Sequence, residues 1–281
     1  MQHMKTDFGA PENLADFERK AQMLDYAAHR AIFEGFAAHL WEPNAGRMIW
    51  MTQPAWPSME WNFLSSDYDT QSSFYGTQKA CEPVHAQLNL ADSSVDLINL
   101  GEARSLKVRM LVEGLDGATL SDHTSQVQAA PDARTQVGRL DLEKLAAGHT
   151  VLVELAVSNA DDSLLSTNVY WWSKDEATLR ELNALAPTTI STSASVANAS
   201  DERSMTVHLK NNGTVPAILL KLTLEDAVTG ARILPAYYSE NYFSLLPGEE
   251  STVTVKFPAG TNQTRLALRG WNLGSQVVAM H

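Results

Sequence analysis

Val151-Leu-Val-Glu-Leu-Ala-Val-Ser-Asn-Ala-Asp-Asp-Ser-Leu-Leu-Ser-Thr-Asn-Val-Tyr170 is the stretch on which the fold turns. Its first seven and last seven residues are rich in β-branched and apolar side chains with a period near two, the signature of strands. Asn159 to Ser163 between them are turn formers, whose short polar side chains bond back to their own backbone. Strand, turn, strand within twenty residues is a hairpin of an antiparallel sheet.

The same signals repeat on both sides. Val95 to Leu97 and Leu106 to Val112 read as strands, with turns at Leu115-Asp116-Gly117 and Ala147-Gly148. A short helical stretch, Glu176 to Leu185, precedes Pro187. Met205 to Leu209, Ile218 to Leu224, Ser251 to Phe257 and Arg265 to Leu268 form a second set of strands. Asn211-Asn212-Gly213, Thr229-Gly230 and Pro247-Gly248 are its turns. Two runs of about 95 residues, each built of short strands, predict two immunoglobulin-like β-sandwich domains, over 86–186 and 187–281. Cys81 is the single cysteine, so both cores must rest on apolar packing without a disulfide.

Upstream of residue 85 the period becomes helical. Leu14, Phe17, Ala21, Leu24, Ala28, Ile32, Phe36 and Leu40 recur at spacings of three and four and predict one helix with this stripe toward a core. Acids at 12, 16 and 18 suit its first turns, and Asn44-Ala45-Gly46 supplies a stop. Met48-Ile49-Trp50-Met51 is short and unalternating, as in a strand buried on both faces. A second helix is expected from about Thr70 to Ala80, ending before Glu82-Pro83. Helix, buried strand, loop, helix is the tail of a parallel α/β unit, whose strand takes its hydrogen bonds from neighbours. The fold class expected is therefore mostly β, two sandwiches preceded over 1–85 by a final α/β portion.

The chain has 281 residues, 44% hydrophobic, with a formal net charge of −12. That acidity argues against nucleic acid, which needs a basic face, and against an anionic membrane. No apolar run approaches the roughly 20 residues that span a bilayer. Met1 to Ala10 lacks the basic start and apolar stretch of a signal peptide, and the compartment stays open. No glycine-rich phosphate loop, nucleophile elbow or paired-histidine helix motif occurs, so neither a cofactor nor a metal is expected.

Glycosidic cleavage uses two carboxylates across a sugar ring. The first 85 residues hold eleven acids, among them Glu42, Glu60, Asp67 and Asp69, and no catalytic pair stands out. Asp67 and Asp69 precede a helix, where capping is the plain reading. Trp50, Trp56 and Trp61 fall within twelve residues; their indoles suit either the C–H face of a pyranose or a core. Gln53 offers an amide either to sugar hydroxyls or to its own loop. Tyr237 to Tyr242 sets tyrosines beside an amide, so Tyr238 and Asn241 serve either glycan contact or packing. Asn198, Asn212 and Asn262 head N-x-[ST] sequons.

Several long strings resemble family-two glycoside hydrolases. They are Tyr26-Ala-Ala-His-Arg30-Ala-Ile-Phe-Glu34-Gly-Phe36, Leu40-Trp-Glu-Pro-Asn-Ala-Gly46, Ile49-Trp50-Met-Thr-Gln53-Pro-Ala-Trp56-Pro-Ser58, and Phe74-Tyr75-Gly76 leading to Ala80-Cys-Glu82-Pro83-Val-His85. Arg232-Ile-Leu-Pro235-Ala-Tyr-Tyr-Ser-Glu240-Asn-Tyr-Phe-Ser-Leu-Leu-Pro247-Gly-Glu249 and Leu268-Arg-Gly-Trp271-Asn272 continue the likeness. The subgroup is that of the mannosylglycoprotein endo-β-mannosidases, exo-β-glucosaminidases and β-mannosidases.

The resemblance implies a five-domain parent whose (β/α)8 barrel ends within 1–85 here. It also implies retaining hydrolysis of β-linked mannose or glucosamine by two glutamates upstream of Met1. Trp50 would match a tryptophan lining the terminal-sugar subsite, with Gln53, Trp56, Tyr238 and Asn241 as further substrate contacts. The expected function is then the C-terminal part of a hydrolase acting on β-mannosides, structural in role. Its partners would be a glycan and the N-terminal remainder, or self-association through the unpaired barrel strand. The rival reading is a stand-alone carbohydrate-binding or scaffolding protein.

Overall fold

A computed structural model describes all residues except 44–45, 59–61, 199–201, 261–262 and 280–281, and of Asn198 the backbone alone. Trp61, Glu60, Asn262 and part of the Asn44-Ala45-Gly46 turn therefore lie outside the described residues. The chain divides into two compact units, residues 1–50 with 76–184, and residues 51–75 with 185–281.

The elements begin with three helices, α1 (Gln2–Phe8), α2 (Leu14–Ala37) and α3 (Ser72–Ala80). Strands β1 (Val84–Asn89), β2 (Ser94–Asn99), β3 (Arg104–Gly114), β4 (Thr119–Ala129) and β5 (Ala133–Arg139) follow. After them come the short helix α4 (Leu142–Ala146) and strands β6 (Val151–Asn159) and β7 (Leu164–Trp172). A 3-10 helix, Glu176–Ala184, closes the first unit. These strands form two antiparallel sheets, ordered β1-β2-β5 and β4-β3-β6-β7.

The core of this sandwich follows from alternation. Leu106, Val108, Met110 and Val112 point inward from β3, and Val151, Val153, Leu155 and Val157 from β6. The register sets Val108 opposite Val157 and Val112 opposite Val153. Ala86, Leu88, Val95 and Leu97 join them in the same cluster. Each fully buried Val or Leu contributes about 1.5–3 kcal/mol of burial free energy.

The second unit holds β8 (Ile190–Asn198), β9 (Glu202–Asn211), β10 (Ala217–Asp226), β11 (Tyr237–Tyr238), β12 (Phe243–Leu245), β13 (Glu250–Pro258), β14 (Thr264–Arg269) and β15 (Gln276–Val277). Its sheets are ordered β11-β13-β9-β8 and β12-β10-β14-β15. Met205, Val207, Leu209, Leu222, Leu224, Val253, Val255, Phe257, Leu266 and Leu268 fill the space between them. Mostly β architecture with two immunoglobulin-like sandwiches is thus what the alternation predicts.

Two expectations for the first 85 residues need correction. The helix is present, but none of its apolar stripe is buried: Leu14 is 81% exposed, Ile32 46%, and Phe17, Leu24 and Phe36 are half-buried. The buried face is instead Asp16, Lys20, Met23, Tyr26, Arg30, Glu34 and Ala37. Polarity is inverted because polar groups of the sandwich satisfy this face. The Arg30 guanidinium lies over the Tyr170 ring and donates to Asn168 Oδ1 at 2.9 Å and to the Val169 carbonyl at 2.6 Å. Glu34 Oε1 accepts from Asn168 Nδ2 at 2.8 Å and from the Tyr170 hydroxyl at 2.6 Å. Buried charges persist only when hydrogen-bonded, and both are, through Asn168, Val169 and Tyr170.

The second correction is the expected strand Met48–Met51. Residues 47–51 belong to no helix or strand, with Met48 98% and Trp50 90% exposed. A strand buried on both faces draws its hydrogen bonds from flanking strands, and among the described residues no strand pairs with that stretch. Self-association through an unpaired strand at this place therefore lacks its strand.

Candidate functional site

The loop after Met51 is built by local bonds. The Leu64 amide donates to the Thr52 carbonyl at 3.0 Å, Gln71 N to Phe63 O at 2.8 Å, and Ser65 N to Asp69 O at 2.9 Å. Leu64 and Thr70 form an isolated antiparallel bridge. Tyr68 sits at the tip of this turn with φ +68°, a left-handed conformation that costs a non-glycine residue energy and is held by the surrounding bonds.

An arginine fixes that turn to the second sandwich. Arg232 Nη1 donates to Asp69 Oδ2 and Nη2 to Asp67 Oδ2, each at 2.6 Å. Ser65 Oγ donates to the other oxygen of Asp67. The Ser65 hydroxyl and the Arg232 charge hold the Asp67 carboxyl below the usual carboxylate range, against partial burial. Burial opposes the charge on Arg232, and the two carboxylates, Asp69 first, more than offset it. Asp67 and Asp69, expected as caps, are both bound by the Arg232 guanidinium through charge-assisted hydrogen bonds, the stronger kind.

The clamped loop encloses a cavity of about 400 Å³ lined by Met51, Gln53, Trp56, Ser58, Ser66 and Tyr68, with Pro54 and Ala55. This volume falls in the range of small-ligand pockets, about 300–1,000 Å³. Trp56, 70% exposed, offers an indole face to solvent. An exposed aromatic, a primary amide and serine hydroxyls match the C–H faces and hydroxyls of a neutral polyol. Asp67 and Asp69 are both committed to Arg232, and Asp67 stays ionised, so neither of these two carboxylates is a ready proton donor.

The structure brings Gln53 and Trp56 together in this cavity. Trp50 belongs to the first unit and is exposed there. Tyr238 and Asn241 are committed to strand β10. The Leu224 amide donates to Tyr238 Oη at 2.7 Å; Asn241 accepts from Leu222 N at 2.7 Å and donates to Leu222 O at 3.0 Å. The Asn241 amide thereby continues the ladder of β10 beyond the short pairing with β12. Burial pushes the Tyr238 phenol well above its ordinary range. Sequence reasoning missed Tyr68, Ser66 and Arg232. The only sequence signal for Arg232 is its place in the Arg232-Ile-Leu-Pro235 string.

Two sandwiches in series, the first carrying a docked helix, define a tandem immunoglobulin-like β protein. The exo-β-D-glucosaminidase immunoglobulin-fold domain matches residues 168–273, and the mannosidase immunoglobulin/CBM-like domain matches residues 99–174. An exo-β-D-glucosaminidase of Streptomyces avermitilis is 29% identical over 302 aligned positions, covering 96% of this chain and 33% of the relative. A mannosylglycoprotein endo-β-mannosidase of Lilium longiflorum is 27% identical, covering 96% of this chain and 35% of the relative. The crystal structure of Amycolatopsis orientalis exo-chitosanase superposes with a TM-score of 0.89 at 28% identity, over 99% of this chain and 36% of that one.

The chain thus spans about a third of the length of the curated relatives it matches. It resembles the C-terminal third of family-two glycoside hydrolases of the exo-β-glucosaminidase and mannosidase kind.

Proposed function

We propose that this chain is the C-terminal part of a retaining glycoside hydrolase acting on β-linked mannose or glucosamine, and that it contributes structure rather than a catalytic carboxylate pair. The observation that carries the reading is the inverted helix. Helix α2 seats its charged face on the first sandwich and leaves its apolar stripe, from Leu14 to Leu40, partly exposed. Exposed apolar stripes of this length mark a surface that another body covers. A catalytic barrel is the covering body proposed, and the fit of this chain to one third of its relatives supports it.

Retaining cleavage needs two carboxyl groups about 5–5.5 Å apart, one able to hold a proton. Asp67 and Asp69, the described acids nearest the cavity, are both ion-paired with Arg232 and poorly suited to that work. In the intact enzyme Gln53 and Trp56 are proposed to face the glycan and Trp50, in the first unit, to offer a separate contact, while Tyr238 and Asn241 hold β10. The test is a chimera in which this chain replaces the matching third of the Amycolatopsis orientalis enzyme. Turnover of a chromogenic β-D-glucosaminide is expected with the stripe intact and lost with Leu24→Lys/Ile32→Lys. Equal turnover by the two chimeras contradicts the proposal.

A second reading, a stand-alone carbohydrate-binding protein, draws on the cavity around Gln53 and Trp56. It expects calorimetric binding of manno- or chito-oligosaccharides by the chain alone, abolished by Trp56→Ala.

A further inference from the structure

In the first unit, away from the Trp56 cavity, three potential ligands converge. His3 and Asp7 are four residues apart on α1, so they share one face of the helix. Glu176 opens the 3-10 helix that packs against α1. One ligand atom from each of the three lies within 4.8 Å of the others. Asp7 is only 8% exposed, and its Oδ1 is buried with no hydrogen-bond donor. An unsatisfied buried carboxylate oxygen costs about 1–3 kcal/mol or more, so it calls for an occupant.

We propose that His3, Asp7 and Glu176 form a binding site for one divalent transition-metal ion. An imidazole nitrogen with two carboxylates is a mixed donor set of the kind zinc accepts, and imidazole disfavours magnesium and calcium. Two carboxylates carry a formal charge of −2, which one divalent ion neutralises. Nitrogen and oxygen ligands of a single zinc stand about 3.3 Å apart, so the three atoms need to close by at most about 1.5 Å. His3 and Glu176 are exposed and free to turn, while the buried Asp7 anchors the site.

Burial, then the like charge of Glu176, pushes the Asp7 carboxyl up. His3 and Arg180 pull it back. The Arg180 guanidinium is itself engaged by the carbonyls of Thr6 and Lys5, at 2.9 Å each, and does not fill the gap at Asp7 Oδ1. A bound ion would tie α1 to the 3-10 helix and so stabilise the first unit.

The test is titration of chelator-stripped chain with zinc, with magnesium and calcium as controls, followed by calorimetry and thermal unfolding. One zinc per chain is expected, with Tm rising by about 5 °C or more at a hundredfold excess over Kd and no shift with magnesium. Asp7→Asn, Glu176→Gln and His3→Gln should each weaken zinc at least tenfold. His3→Gln and Glu176→Gln change exposed positions and keep the fold. No saturable zinc binding overturns the proposal. So does binding lost in His3→Gln alone and unchanged in the two carboxylate variants, which would assign the zinc to an isolated histidine.

Discussion

The Arg30 guanidinium lies 3.9 Å from the centre of the Tyr170 ring, a helix cation resting on an aromatic face of the sandwich. The Tyr170 hydroxyl donates to Glu34 one turn further along the same helix, and it accepts from the Leu88 amide at 3.1 Å. Two helix charges and one tyrosine thus lock α2 to the first sandwich. Burial, with the negative charge of Glu34, drives the Tyr170 phenol far above its ordinary range, so the hydroxyl stays a donor at all working pH.

Tyr170→Phe should therefore destabilise the chain by about 2–3 kcal/mol, because a buried carboxylate and a buried amide each lose a partner. Arg30→Met should cost at least as much, because Asn168 Oδ1 and the Val169 carbonyl lose their charged donor. Urea unfolding measures both. A loss below about 0.5 kcal/mol for Tyr170→Phe would mean the network contributes little.

The two faces of α2 should respond in opposite ways to charge. Ile32→Glu falls on the exposed stripe and should change stability by less than about 0.5 kcal/mol. Met23→Glu, at a position with 0% exposure, should cost several kcal/mol or prevent folding. Comparable thermal shifts for the two variants would return the apolar stripe to the core.

His29 adds a pH dependence. Burial disfavours its charge, but the Asp25 carboxylate at 3.1 Å and the Asp25 carbonyl outweigh that and raise its pKa. A raised histidine contributes stability that is full below about pH 6.5 and lost as pH climbs through the folded value. The wild type should therefore lose stability relative to His29→Gln as pH rises above about 6.5. Thermal unfolding across that window reads the difference, and parallel curves would contradict it.

The Arg232 clamp carries the opposite sign. Asp67 is held below the ordinary carboxylate range, so its contribution is present above about pH 4 and lost as pH falls further. Both partners are half-exposed, so Arg232→Met should cost only about 1 kcal/mol at pH 7. The gap to wild type should stay constant from about pH 5 to 7 and narrow below about pH 4. Limited proteolysis should also find residues 51–70 cut faster in the variant.

Much of the fold was legible where one physical effect dominates. The alternation of Val151 to Val157 against Leu106 to Val112 specifies a core face, and both runs are strands in register. Strand β4, Thr119–Ala129, escaped because it is an edge strand whose polar side chains are exposed on most positions, leaving no period to read. Strand β8, Ile190–Asn198, is also at an edge and rich in serine and alanine.

The stripe of α2 was legible as a helix but not as a buried face. Periodicity reports amphipathicity, and only the partner decides which side is covered. For the cavity, Gln53 and Trp56 could be named from local chemistry. Arg232 could not, since it meets Asp69 across 163 positions of sequence.

The most direct measurement is turnover by the purified chain alone, on chromogenic β-D-mannoside and β-D-glucosaminide, beside an intact family-two enzyme as positive control. The account predicts no release of chromophore above the buffer blank on either substrate. Turnover that follows the chain through purification and disappears with Asp67→Asn/Asp69→Asn would contradict it, because these residues would then hold a working carboxylate pair.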